Sequence, residues 1–184
     1  VNYTDRDSHF IFGDVATATI LETAETVNTD TAFDILSTKA KTMYSNNIRS
    51  NFGYMSRAND ADPFGPDKLF HQAGRRVFKE VCPMAAEHIA SHLGQHELTA
   101  DNVNRWWLHQ ANINMNTLIC KKLLGRDANS EEAPIVLDEY ANTASAGSII
   151  AFALHHEDLA SQDVGVICSF GAGYSIGSLV VRKR

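Results

Sequence analysis

The chain has 184 residues, 44% of them hydrophobic and 21% charged, a composition that supports one sizeable core and an ordinary globular fold. Its net charge of −6 leaves no basic excess to neutralise a phosphate backbone, which argues against a nucleic-acid partner. No apolar run approaches the roughly 20 residues that cross a bilayer, so no membrane partner is expected.

Cys82, Cys120 and Cys168 show no CxxC spacing, which fits neither a disulfide framework nor a zinc ribbon and makes a reducing cytoplasm the default. The opening Val1-Asn2-Tyr3-Thr4-Asp5-Arg6 is neither a signal peptide nor a natural start. An internal fragment or a processed chain is the expectation.

In chain order, His9 to Asp14 and Val15 to Leu21 read as two short strands around a Gly-Asp turn, with β-branched and small residues alternating in the second. Residues 22–66 are polar and weakly periodic. They predict an irregular connecting excursion holding one or two short strands such as Ala32 to Leu36, closed by Pro63-Phe64-Gly65-Pro66. A long helix is predicted from about Lys68 to Leu93, stopped by Gly94 and kinked or broken at Pro83. From Val103 onward a unit recurs, in which an apolar run meets a turn of small or polar residues. Arg105-Trp106-Trp107-Leu108 leads to His109-Gln110-Ala111-Asn112 and a helix ended by Gly125. Ile135-Val136-Leu137 leads to Tyr140-Ala141-Asn142-Thr143 and a helix to about His156. Val164 to Cys168 leads to Phe170-Gly171-Ala172-Gly173 and a last, antiparallel strand at Ser178 to Val181. Alternation of strands and helices predicts an α/β fold with a mixed, mostly parallel sheet and helices in layers.

In open α/β sheets functional groups gather beyond the carboxyl ends of strands, and all three turns carry distinctive residues. His109 suits an electrophilic or acid–base role, although a histidine satisfying buried backbone groups fits equally. Asn112 can cap the following helix. Asn142 offers a neutral amide donor; read alone, it is more simply an N-cap. The glycine turn around Ala172 is either a tight hairpin or a backbone N–H aimed at a developing oxyanion. A nucleotide loop is not expected, since a strand follows the glycines where a phosphate site needs a helix N-terminus.

His109-Gln110-Ala111-Asn112, Ala141-Asn142-Thr143-Ala144-Ser145 and Phe170-Gly171-Ala172-Gly173, in this order, resemble the signature of the β-ketoacyl-acyl carrier protein synthase III family. Phe12-Gly13-Asp14-Val15-Ala16-Thr17-Ala18 resembles that family's Gly-Asp-Gly-Ala-Gly-Ala segment. The resemblance implies a thiolase-like fold of two similar halves, normally a homodimer. Residues 1–21 would be the last strands of the N-terminal half, 22–66 the connecting excursion and 67–184 the C-terminal half. It also implies decarboxylative condensation of an acyl group with malonyl-acyl carrier protein in fatty acid synthesis. Acyl-coenzyme A and malonyl-acyl carrier protein are then the substrates, with no cofactor and no metal.

By position, His109 and Asn142 match the family's catalytic histidine and asparagine, and Ala172 the residue whose N–H holds the acyl-enzyme oxyanion. Phe170 matches a ring beside the nucleophilic cysteine, Gly171 the pocket wall, and Asn112 a residue near the triad. That cysteine belongs to a missing N-terminal half, which becomes an expected partner together with the acyl carrier protein. Cys82, Cys120 and Cys168 lie in helix or strand patterns and read as inert packing groups.

Where the family carries an arginine that binds the carrier protein, this chain has Asn114, and Lys121, Lys122 and Arg126 are expected to compensate. His88, His92 and His96 have a spacing able to chelate zinc on a helix. Gly94 should end the helix before His96, however, and no Cys, Asp or Glu joins them at suitable spacing. His155-His156-Glu157-Asp158 reads as a solvated helix end. Two alternatives stand beside fatty acid synthesis: a specialised synthase of secondary metabolism, and a non-catalytic thiolase-fold partner subunit.

Overall fold

The computed structural model describes residues 3, 5, 6, 8–50, 65 and 68–184. Its centre is a four-stranded sheet built from β1 (Phe33–Ser45), β4 (Arg105–Leu108), β5 (Val164–Gly171) and β6 (Gly173–Lys183), in the order β1-β6-β5-β4. The sheet is mixed, as expected, but β4–β5 is its one parallel pair and β1–β6 and β5–β6 are antiparallel. The balance is therefore less parallel than the strand–helix alternation suggested. The reason is local: Ile135 and Val136 form no strand, and Leu137–Tyr140 closes into a single helical turn, α3.

β1 is the largest departure from the sequence reading. It is a thirteen-residue edge strand where an irregular excursion with short strands was expected, paired from Phe33↔Lys183 to Ser45↔Gly173 with two register irregularities. Its Thr, Ser and Lys residues mask the apolar alternation, and polar or lysine-bearing edges are a usual protection against further strand pairing. The two strands expected across residues 9–21 do not form among the described residues. That segment has a turn at residues 8–10 and no regular structure from 13 to 21, with Ile20 86% and Leu21 75% exposed, and makes a single bridge from Phe12 to Asn142. The Pro63–Pro66 cluster, apart from Gly65, lies outside the described residues.

The long helix α1 covers Gly74–Gly94, ends where Gly94 predicts and leaves His96 beyond it. It starts later than Lys68 because Phe70–Gln72 forms strand β3, paired antiparallel with β2 (Ile48–Ser50). Helix α1 also continues through Pro83 rather than breaking. An interior proline costs about 3 kcal/mol, and the apolar stripe Val77, Val81, Met84, Ala85, Ile89 and Leu93 buried on the sheet offsets it at about 1.5–3 kcal/mol for each large side chain. Helix α2 (Ile113–Leu124) packs beside α1, capped by Gly125 at φ 71°. Across the sheet, α4 (Ala146–Leu154) covers Trp107, Ile167 and Val181.

His88 and His92 are committed to the core: both bond the Ser178 hydroxyl, at 3.0 and 2.7 Å, and His92 also meets Ser37 at 2.8 Å. Among the described residues no group of three His, Cys, Asp or Glu is placed to hold a metal ion. The segment after α4 is not simply solvated. The His155 carbonyl accepts from Arg105 at 2.8 Å and from the Trp107 indole at 3.0 Å, and Asp158 pairs with Arg105 at 2.7 Å. No described helix is long and apolar enough to cross a membrane.

Candidate active site

The turns after β4 and β5, together with the Asn142 turn, open into a cleft of about 760 Å³, lined among others by His109, Asn112, Asn142, Phe170, Gly171 and Ala172. Every site residue expected from the sequence therefore faces one cavity. Phe12, Phe70, Met115 and Ile176 add apolar wall, with Phe12 and Phe70 edge-to-face at 5.0 Å. β3, which carries Phe70, was hidden in the sequence inside an expected helix.

His109 follows β4, whose four residues are all buried. It is 6% exposed and its ring lies 4.6 Å from that of Phe170. Burial drives its pKa down to about 4, with a smaller upward pull from the Ala144 backbone. At neutral pH the imidazole is therefore uncharged, a hydrogen-bond donor rather than a general acid. Its neighbour Gln110 is fully buried and was missed by sequence reasoning. The amide donates to the carbonyls of Leu108 (2.9 Å) and Pro134 (3.4 Å), while Oε1 accepts from Val136 N–H at 3.1 Å. A Cβ on Gly147 would meet Gln110 Cβ at 2.8 Å, so the glycine lets α4 press on this strut. Asn112 accepts from Asn114 N–H at 2.8 Å, the helix cap that its position predicted.

Asn142 is held by main chain on both sides. Its N–H donates to Ile11 at 2.9 Å, its carbonyl accepts from Gly13 N–H at 3.1 Å, and its side-chain Oδ1 accepts from Ala144 N–H at 3.0 Å. Fixing Oδ1 leaves the Nδ2 hydrogens as the group the side chain can offer a ligand. The turn is strained: Ala141 and Ala144 sit at φ 55° and 53°. Ala172 is exposed at the tip of the β5–β6 turn. Gly173 has φ 136°, and a Cβ there would lie 2.7 Å from Ser175 N, so glycine is required on that side of the turn. Gly171 has open space around it.

Residues 93–183 match the family model described as 3-oxoacyl-[acyl-carrier-protein (ACP)] synthase III C terminal. The whole chain is 57% identical over 184 residues to β-ketodecanoyl-[acyl-carrier-protein] synthase of Pseudomonas aeruginosa, covering 53% of that protein. The chain belongs to the 3-oxoacyl-[acyl-carrier-protein] synthase III family. A synthase III of Ehrlichia ruminantium is 29% identical over 99% of the chain and 54% of its own length. The crystal structure of the Aquifex aeolicus synthase III superposes with a TM-score of 0.73 at 20% identity, over 98% of this chain and 53% of that one. The fold is thus the α/β thiolase-like fold that the motifs implied. This synthase III chain spans about half the length of the curated relatives it matches.

The three thiols of this synthase III chain are free, buried and absent from the cleft lining. Burial raises Cys82 to about 11 and Cys120 and Cys168 to about 12, so none is a ready nucleophile. The basic residues expected to compensate for Asn114 are largely engaged. Lys121 pairs with Asp127 at 3.4 Å, and Arg126 is held through two nitrogens by Glu132.

Proposed function

We propose that this chain is the half of a condensing enzyme that generates the malonyl-derived enolate, with His109 and Asn142 donating hydrogen bonds to the malonyl thioester oxygen. The observation that carries this reading is a buried, uncharged imidazole opening into the same cleft as an amide whose oxygen is already satisfied. Two neutral donors aimed at one oxygen favour an enolate without protonating it, the electrostatic role of an oxyanion hole. When the malonyl C–CO₂ bond breaks, its electron pair enters the enolate. The enolate carbon then bonds to an acyl carbonyl held as a thioester, the C–S bond breaks, and the thiolate leaves. Ala172 N–H would hold the oxyanion formed at that acyl carbonyl, with Phe170 and Gly171 beside it and Asn112 supporting the helix start.

The nucleophilic cysteine is proposed to lie outside these residues, in an N-terminal half. In that scheme residues 1–21 belong to the other half, 22–66 connect and 67–184 form the C-terminal half. A homodimer in the cytoplasm, acting with acyl carrier protein, completes the proposal; no cofactor is proposed, and acyl-coenzyme A and malonyl-acyl carrier protein enter as substrates. The Pseudomonas relative's name denotes a ten-carbon keto product. Because condensation adds two malonyl carbons, we extend to this chain a medium-chain, eight-carbon acyl donor. This sits beside fatty acid synthesis and keeps the specialised-synthase reading open. In the full-length protein, His109→Ala should cut malonyl decarboxylation by about 10² to 10³, the usual loss for one oxyanion donor, while acylation of the cysteine survives. An unchanged decarboxylation rate sinks the reading.

A further inference from the structure

Three polar side chains meet behind the β5–β6 turn, outside the machinery described above. Tyr174 is fully buried and directly follows Gly173 on β6. Its hydroxyl donates to Glu80 Oε2 at 2.8 Å and accepts from the Asn47 amide at 3.0 Å, and the same amide donates to Glu80 Oε2 at 2.9 Å. The ring of bonds ties together three elements: the β1–β2 turn through Asn47, α1 through Glu80, and the start of β6. Asn47 adds a main-chain tie, its carbonyl accepting from Ala73 N–H at the head of α1, 2.8 Å away.

Core packing does not call for this hydroxyl. A phenylalanine ring would fill the same buried space, so the oxygen serves the bonds it makes. What those bonds fix is the main chain one residue beyond Gly173. The turn itself has little stiffness of its own, since Ala172 stands between two glycines, the least restrained residue type, and its tip is exposed.

We propose that Tyr174, Glu80 and Asn47 are positioning residues that hold the Gly171–Gly173 turn, and with it the Ala172 N–H, in register with the cleft. The proposal rests on the role given to Ala172 above. It separates the site into two independently supported parts. His109 and Asn142 stand on other turns, with their own struts in Gln110 and the Ile11–Gly13 main chain. Loosening the clamp therefore acts on the acyl oxyanion and not on the enolate. In acylation the cysteine sulfur bonds to the acyl carbonyl carbon and the carbonyl π pair moves onto oxygen. That oxyanion then collapses and expels the coenzyme A thiolate. The enolate step places its charge on a different oxygen.

The test uses the full-length protein and reads the two half-reactions separately: single-turnover self-acylation from octanoyl-coenzyme A, and decarboxylation of malonyl-acyl carrier protein. Tyr174→Phe should slow acylation about tenfold, less than the 10² to 10³ expected for losing a donor outright, and change decarboxylation by less than about twofold. Glu80→Ala should reproduce this split, and Glu80→Gln, which keeps an acceptor for the phenol, should restore most of the acylation rate. The double variant Tyr174→Phe/Glu80→Ala should be no slower than either single change, as expected for groups acting as one unit. Equal losses in both half-reactions would assign the cluster to general stability and overturn the proposal, as would unchanged acylation. If His109→Ala abolishes decarboxylation while Tyr174→Phe leaves acylation intact, the clamp alone fails and the reading of the cleft stands.

Discussion

Substituting glycine at Ala141 tests whether the turn that presents Asn142 is strained. Ala141 lies at φ 55°, ψ −158°, a combination open in practice only to glycine. Holding another residue there costs of order 1–3 kcal/mol. Glycine returns about 0.5–1 kcal/mol of that through the extra freedom it gives the unfolded chain, so Ala141→Gly should stabilise by about 1 kcal/mol net. For a protein of this size or larger the gain corresponds to a rise in Tm of about 1–3 °C. Thermal unfolding of the full-length protein followed by circular dichroism, with urea midpoints as a second measure, would read it. The hydrogen bonds from Asn142 to Ile11 and Gly13 do not involve the Ala141 side chain, so decarboxylation should hold within about twofold. A lower Tm would show that the alanine Cβ contributes more packing than its backbone conformation costs, and the strain argument would fall.

Two further outcomes follow from the same packing. Burial holds the His109 imidazole near pKa 4, and burial does the same to His92. Between that value and about 6.5 the unfolded chain takes up protons that the folded chain refuses. Stability is therefore fully present above about pH 6.5 and is lost as pH falls toward 4. Urea midpoints measured from pH 7.5 to 4.5 should drop steadily, and His109→Gln should flatten the slope; an identical slope in the variant contradicts the assignment. A Cβ on Gly165 would run into the six-membered ring of the fully buried Trp107. Gly165→Ala should consequently destabilise by about 3 kcal/mol, the upper range for overpacking, and a midpoint equal to the parent's would show that the ring can move.

The parts of the fold legible from sequence are those specified over short distances. The β4–turn–α2 unit was readable because Trp106 and Trp107 lie in an apolar run, Asn112 supplies the cap and Gly125 takes the positive φ that ends the helix. The β5–β6 hairpin was readable from its apolar runs and the glycine-bearing turn between them. What could not be read depends on distant partners. β1 looks polar because one edge of it is free, and only pairing with β6, far along the chain, makes it a strand. Phe70 enters the cleft wall through β2, not through its helical periodicity. Gln110 sits inside a recognised motif, yet its role depends on the Pro134 carbonyl and the Val136 N–H of a distant segment. The candidate site residues were legible as types and order, but their shared cleft is a property of the tertiary structure.

The bridge between Phe12 and Asn142 also bears on the order in which the molecule can become competent. It joins residues far apart in the sequence, so closing it is entropically among the slower contacts to form. Strands β4 to β6 and α2 can place His109 before that closure, whereas the Asn142 turn gains both of its main-chain bonds, to Ile11 and from Gly13, only with it. A population of molecules caught between these events would hold one donor in place and the other adrift. Catalytic competence in a refolding experiment should therefore lag behind recovery of the Trp106 and Trp107 fluorescence that reports the buried core.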